Sequence, residues 1–117
     1  MIALAEIVSL KQNKDFHRAY ARGKIKTNPA LVTYVVKNRA GICRVGITTS
    51  KKIGCAVERN RCRRIIRAAY ASLSAECSGS FDIVFVARFK TKNLLSTQIA
   101  AVMRGQLKEL GVLREHL

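Results

Sequence analysis

From Val57 to Ser74 the apolar residues return every three or four positions. At roughly 100° per residue, Cys62, Ile65, Ile66, Ala69 and Leu73 fall within one arc of about 100°, the footprint of a helix lying on a core. A second helical repeat runs from Leu94 to Leu110 through Leu95, Ile99, Val102, Met103, Leu107 and Leu110, and Gly111 follows as a stop signal. A shorter helix is predicted with Asn13 as its cap and Gly23 just past its end. On it Phe16 and Tyr20 stand four apart and share a face. Between the helices lie strand patterns. Leu31 to Lys37 is rich in β-branched residues, Asn38-Arg39-Ala40-Gly41 reads as a turn, and Cys43 to Thr49 returns, which predicts a hairpin. Phe81 to Ala87 is nearly continuous in apolar residues and suits a central strand. Thr27-Asn28-Pro29 breaks the chain, Gly54 punctuates the loop before the long helix, and Arg88 to Asn93 is a basic connection. With no internal repeat or linker, residues 1–117 read as one domain. Its expected form is an α+β sandwich with helices covering one face of a small sheet.

The polar positions of the Val57–Ser74 helix change the picture. Between Lys51 and Arg67, seven Lys or Arg stand against one Glu. Arg59, Arg63 and Arg67 form one row at four-residue spacing, Asn60 and Arg64 form the next, and Arg61 closes the far edge. Repulsion within such rows costs a few tenths of a kcal/mol per pair, and a polyanion lying across them removes that cost. Guanidinium groups can grip phosphate oxygens two at a time. Asn60 can add amide hydrogen bonds to sugar or phosphate, or buttress its neighbours instead. The whole chain carries a formal charge of +15, so its surface draws phosphate backbones without specifying which. A membrane surface fits less well, because no long apolar face is left over.

Other chemistries find little support. Cys43, Cys55, Cys62 and Cys77 make no CxxC pair and have no His at ligand spacing, so a zinc site is not expected. Reduced thiols are the expected state, in a cytoplasmic protein. The apolar Met1–Leu10 segment lacks a basic n-region, carries Glu6, and is too short to span a bilayer. A protein-only nuclease would need converging carboxylates for two metal ions. The acids here are Glu6, Asp15, Glu58, Glu76, Asp82, Glu109 and Glu115, scattered with no paired motif. His17 reads as a surface helix residue without a partner, and His116 near the C-terminus is less promising as a base. Composition alone leaves a structural RNA-binding protein of ribosomal type open.

Three runs carry a more specific signal: Arg44-Val45-Gly46-Ile47, Ser50-Lys51-Lys52-Ile53-Gly54, and Ala56-Val57-Glu58-Arg59-Asn60-Arg61 followed by Arg63-Arg64 and Ile66-Arg67. With Asp15-Phe16 upstream and Phe81-Asp82-Ile83-Val84 downstream, the chain resembles the bacterial ribonuclease P protein component along its length. The resemblance implies an α-β-β-β-α-β-α order, with a short strand near Lys24 to Thr27 and a left-handed β-α-β crossover through the basic helix. General rules alone would favour a right-handed one. It implies a partner, the catalytic RNA subunit, bound through Lys51, Lys52, Arg59, Asn60, Arg61, Arg63, Arg64 and Arg67. It also implies that the holoenzyme removes the 5′ leader from precursor tRNA, with the RNA supplying the chemistry and using Mg2+. The protein itself would hold no cofactor, contribute no catalytic residue, and need neither a membrane nor an obligate protein partner. Family aromatics at positions matching Phe16, Tyr20 and Tyr34 line a cleft for the single-stranded leader. Val32 and Val36 share the strand face of Tyr34, and the pattern leaves open whether they and Phe16 line that cleft or pack in the core. Tyr20 stands where phenylalanine is common, and Cys55 and Cys62 where polar or aliphatic residues are more usual.

Overall fold

Strand β5 (Phe81–Ala87) organises the computed structural model, which describes residues 7–113. Ile83, Val84 and Phe85 on it are all completely buried, so apolar side chains leave both faces of the strand. Such a strand is stable only with neighbours on both edges and cover on both faces. It has them. The sheet order is β1 (Val8–Ser9), β4 (Arg44–Thr48), β5, β3 (Leu31–Lys37) and β2 (Lys24–Asn28). β5 runs antiparallel to β3 and parallel to β4. The hairpin expected between β3 and β4 is therefore replaced: β5 occupies the slot between them. The turn at Asn38–Gly41 is present, with Gly41 at a positive φ of 77°, but it carries the chain across one strand's width. The true hairpin joins β2 to β3. Asn28 pairs with Leu31, and the Asn28 side chain accepts the Ala30 N–H at 2.8 Å across the turn.

Helices cover both faces, which corrects the expectation of one covered face. Helix α1 (Asn13–Arg22) lies on the side of Tyr34, Val36, Val84 and Val86, where Leu10, Ala19 and Val84 form a small core. Helices α2 (Ala56–Leu73) and α3 (Ser96–Glu109) lie on the other side, over Leu31, Val35, Val45, Ile83 and Phe85. The predicted arc on α2 is in place, with Cys62, Ile66, Ala69 and Leu73 buried and Ile65 half-buried. Tyr70 joins it, its ring 5.8 Å from that of Phe85. On α3, Ile99, Met103 and Leu107 are fully buried, each stabilising the fold by about 1.5–3 kcal/mol. Gln106 fixes the helix to β3 by accepting the Thr33 hydroxyl at 2.6 Å and donating to the Leu31 carbonyl at 2.8 Å.

Several local expectations shift. Gln12 occupies the cap position of α1 and Asn13 is its first residue. Gly23 follows the helix in extended backbone, not the left-handed form. Its lack of a side chain answers a close approach instead, since a Cβ there would stand 2.4 Å from the Ala19 carbonyl oxygen. Leu95 precedes α3 and is 69% exposed, so it is no core position. β1, which the pattern did not predict, covers only Arg44 and Val45 of β4. Val45 accepts the Leu10 N–H at 2.8 Å on that side. Backbone groups of alternate residues point the same way, so Ile47 turns its N–H and C=O outward, past the end of β1. The expected properties of His116 and Glu115, and of the first six residues, lie outside the described residues.

Candidate nucleic-acid interface

The basic stretch folds as two pieces. Lys51–Ile53 forms a 3-10 turn with Lys51 and Lys52 exposed and Ile53 buried. Gly54 then takes a φ of 144°, and a side chain there would stand 2.3 Å from the Glu58 carboxylate, so this position needs glycine. α2 follows, with its buried arc fixing the rotation and leaving Asn60, Arg61, Arg63, Arg64 and Arg67 exposed on the opposite side. Val57, Asn60, Arg63, Arg64 and Arg67 border an open hollow of about 520 Å³. Arg59 is half-buried, so the row it was expected to share with Arg63 and Arg67 is uneven.

The carboxylates show how this face differs from the rest of the molecule. Among the described residues, Glu58 pairs with Lys92, Glu76 with Arg104 at 2.7 Å and Glu109 with Lys26 at 3.1 Å. Asp82 pairs with Arg18 at 2.7 Å and Arg44 at 2.8 Å, while Asp15 lies 3.8 Å from Arg44. Every described acid is thus matched to a cation away from the exposed side of α2. Lys51, Lys52, Arg59, Arg61, Arg63, Arg64 and Arg67 take part in no salt bridge among the described residues. The acids are spread over the molecule, and no group of three His, Cys, Asp or Glu gathers to hold a metal among the described residues.

On the opposite face of the sheet, α1 sets its aromatics over β4 and β3. Phe16 lies directly on Gly46, where a Cβ would stand 2.4 Å from the ring. The Tyr20 ring meets that of Tyr34 edge-on at 5.0 Å, and its hydroxyl hydrogen-bonds with Thr48 Oγ1 at 2.8 Å. Phe16, Tyr34 and Val36 are half-buried and Tyr20 is 39% exposed, whereas Val32 is only 5% exposed. Val32 therefore packs and has almost no surface to offer a ligand. Phe16 does both: it packs against Leu10 and also lines a hollow of about 240 Å³. That hollow is bordered by Gly46 and Ile47 of the β4 edge and by Arg63 and Arg67 of α2. Phe16 and the basic helix therefore meet around the uncovered edge of β4.

One cluster escaped the sequence reading. Asp82, wholly buried at the head of β5, accepts Arg44 Nε and Nη2 at 2.8 Å each, Arg18 Nη2 at 2.7 Å and Asn38 Nδ2 at 2.8 Å. Burial pushes its carboxyl upward, but the hydrogen bonds from Arg44, Asn38 and Arg18 outweigh that and hold it below its ordinary value. The Asp82 hydrogen bonds in turn raise the Arg44 guanidinium. The cluster ties α1 to the sheet at the start of β4. The signal was available: a carboxylate inside an apolar central strand requires cations to face it. His17 is exposed, as expected. No helix among the described residues is long and apolar enough to cross a membrane.

Comparison with known proteins gives a consistent result. Residues 4–111 match the family model described as Ribonuclease P. The chain is 38% identical over 104 residues to the ribonuclease P protein component of Clostridioides difficile strain 630, covering 88% of this chain and 91% of that one. The Staphylococcus aureus RNase P protein structure superposes with a TM-score of 0.81 at 32% identity, covering 93% of this chain and all of that one. The RNase P protein of Thermotoga maritima gives 0.73 at 25% identity, over 87% and 94% of the two chains.

Proposed function

The chain belongs to the ribonuclease P protein family, and from this we propose that it binds the catalytic RNA of ribonuclease P and the 5′ leader of precursor tRNA. The RNA is gripped by Lys51, Lys52, Asn60, Arg61, Arg63, Arg64 and Arg67, with Arg59 contributing from the margin. The observation that carries this reading is the distribution of charge: the described acids are spent on other cations, and the exposed side of α2 is left for an external polyanion. The leader lies against Phe16, Tyr20, Tyr34 and Val36, since aromatic faces hold unpaired bases with little sequence demand. Gly46 keeps this floor low enough for the Phe16 ring to lie on it.

In this division of labour the RNA subunit performs the hydrolysis with Mg2+, and the protein acts as an assembly and positioning subunit. Residues 1–117 work as one RNA-binding unit in the cytoplasm, without a membrane or an obligate protein partner. The test is reconstitution. Protein freed of RNA leaves precursor tRNA uncut, and adding the cognate RNA restores cleavage at low Mg2+. Cleavage by rigorously RNA-free protein would overturn the assignment. For the cleft, Phe16→Ala should weaken holoenzyme binding to a long-leader precursor by roughly tenfold while sparing mature tRNA. Equal losses on both would return Phe16 to a packing role.

A further inference from the structure

Phe89 is 63% exposed, although the turn that carries it is tightly built. The loop after β5 runs Arg88-Phe89-Lys90, all exposed, into a 3-10 turn at Thr91–Asn93. Thr91 is fully buried and anchors it: its Oγ1 accepts the Arg88 N–H at 2.9 Å and donates to the Ala30 carbonyl at 2.7 Å. Lys92 is held from the other side. Its Nζ donates to the Ile53 carbonyl at 3.0 Å, pairs with Glu58, and stands 4.2 Å from the centroid of the Phe89 ring.

A singly exposed apolar residue is ordinary on a protein surface. This ring differs in being braced on one face. A cation seated over the ring orients it, and most of the residue stays exposed to solvent. The surroundings are cationic, with Arg88 and Lys90 beside it in sequence. Lys92 also lines a shallow hollow shared with Arg61 and Arg64 of α2. An exposed aromatic ring, braced on one face and with Arg88 and Lys90 beside it, suits a nucleobase flanked by phosphates. Through Lys92 the ring adjoins the Lys51–Ile53 turn and the first turn of α2, while the aromatics of α1 lie on the other face of the sheet.

We propose that Phe89, braced by Lys92, is a stacking platform for an unpaired base of the catalytic RNA, adding a base contact to the phosphate contacts of α2. This rests on the reading that the chain binds that RNA. Stacking needs no fixed base identity, so the contact contributes affinity and orientation more than sequence choice.

The chain contains no tryptophan, so Phe89→Trp places a single reporter at the site. Its emission should be quenched on titration with catalytic RNA and unchanged by a short leader oligonucleotide. Phe89→Ala and Phe89→Leu should both weaken assembly by roughly tenfold, because leucine restores apolar bulk but not a π face. Unchanged emission while the Phe89→Trp protein assembles with the RNA would overturn the proposal. Quenching by the leader alone would overturn its choice of partner, and wild-type affinity in Phe89→Leu would overturn stacking. If the native chain fails to bind the RNA, the underlying functional reading falls, and this proposal with it.

Discussion

Arginine does opposite work on the two faces of this sheet. On the α1 side, Arg18 and Arg44 converge on the buried Asp82, with Asp15 close by, and their charge is neutralised within the fold. On the α2 side, Arg61, Arg63, Arg64 and Arg67 face solvent with no carboxylate in reach among the described residues. The residue type is the same, and the position of the carboxylates decides the outcome. Where they are buried, arginine ties helix to sheet; where they are missing, it remains available to a ligand.

The largest expected effect comes from breaking the neutralised side. Asp82→Ala leaves two partly exposed guanidinium groups without their shared acceptor and should cost about 1.5–3 kcal/mol in urea unfolding. A cost below about 1 kcal/mol would mean the cluster is not a fold-building tie. The same contrast appears with pH. Asp82 is held below its ordinary value of 3.8, so the stability it lends is complete above that value. It is lost as pH falls through the lower native value. Urea midpoints should drop across that acid range in the native chain, and Asp82→Asn should remove Asp82's share of the drop. The exposed side should behave in reverse. Arg63→Ala with Arg67→Ala should change folding stability by no more than about 0.5 kcal/mol, yet reduce the log–log salt dependence of RNA binding by roughly 1 per arginine. An unchanged slope in the folded double variant would remove these two from the interface. Smallest is Tyr20→Phe. Losing the exposed bond to Thr48 should cost less than about 1 kcal/mol, showing that α1 is held mainly from its Asp82 end.

How much of this was readable depended on whether a signal was local. The buried arc of α2 and the bounds of β3 and β5 follow from periodicity, and the structure reproduces them. Strand order does not follow from periodicity. β3 and β4 are joined by a short turn and look like a hairpin until β5, buried on both faces, claims the place between them. β1 has only two residues and carries no pattern at all. The basic face was legible because composition and spacing agreed. The Asp82 cluster has no local pattern, because its members come from α1, β4, β5 and the Asn38 turn, brought together only by the sheet. In the sequence Phe89 reads as part of a basic connection, since its exposure depends on the buried Thr91 anchor. Leu95 shows the opposite error, a periodic match one residue outside the helix that would have buried it.

The outward N–H and C=O of Ile47 have a bearing on handling the isolated protein. An open strand edge invites pairing with the same edge of another molecule. Here Arg63 and Arg67 border the hollow beside it, and a net charge of +15 keeps like molecules apart. That protection is electrostatic and works only within the screening distance, which shrinks to about 3 Å in molar salt. Concentrated salt, commonly used to strip nucleic acid from basic proteins, should therefore weaken that guard, and light scattering of the isolated protein across a salt series would show the self-association that follows.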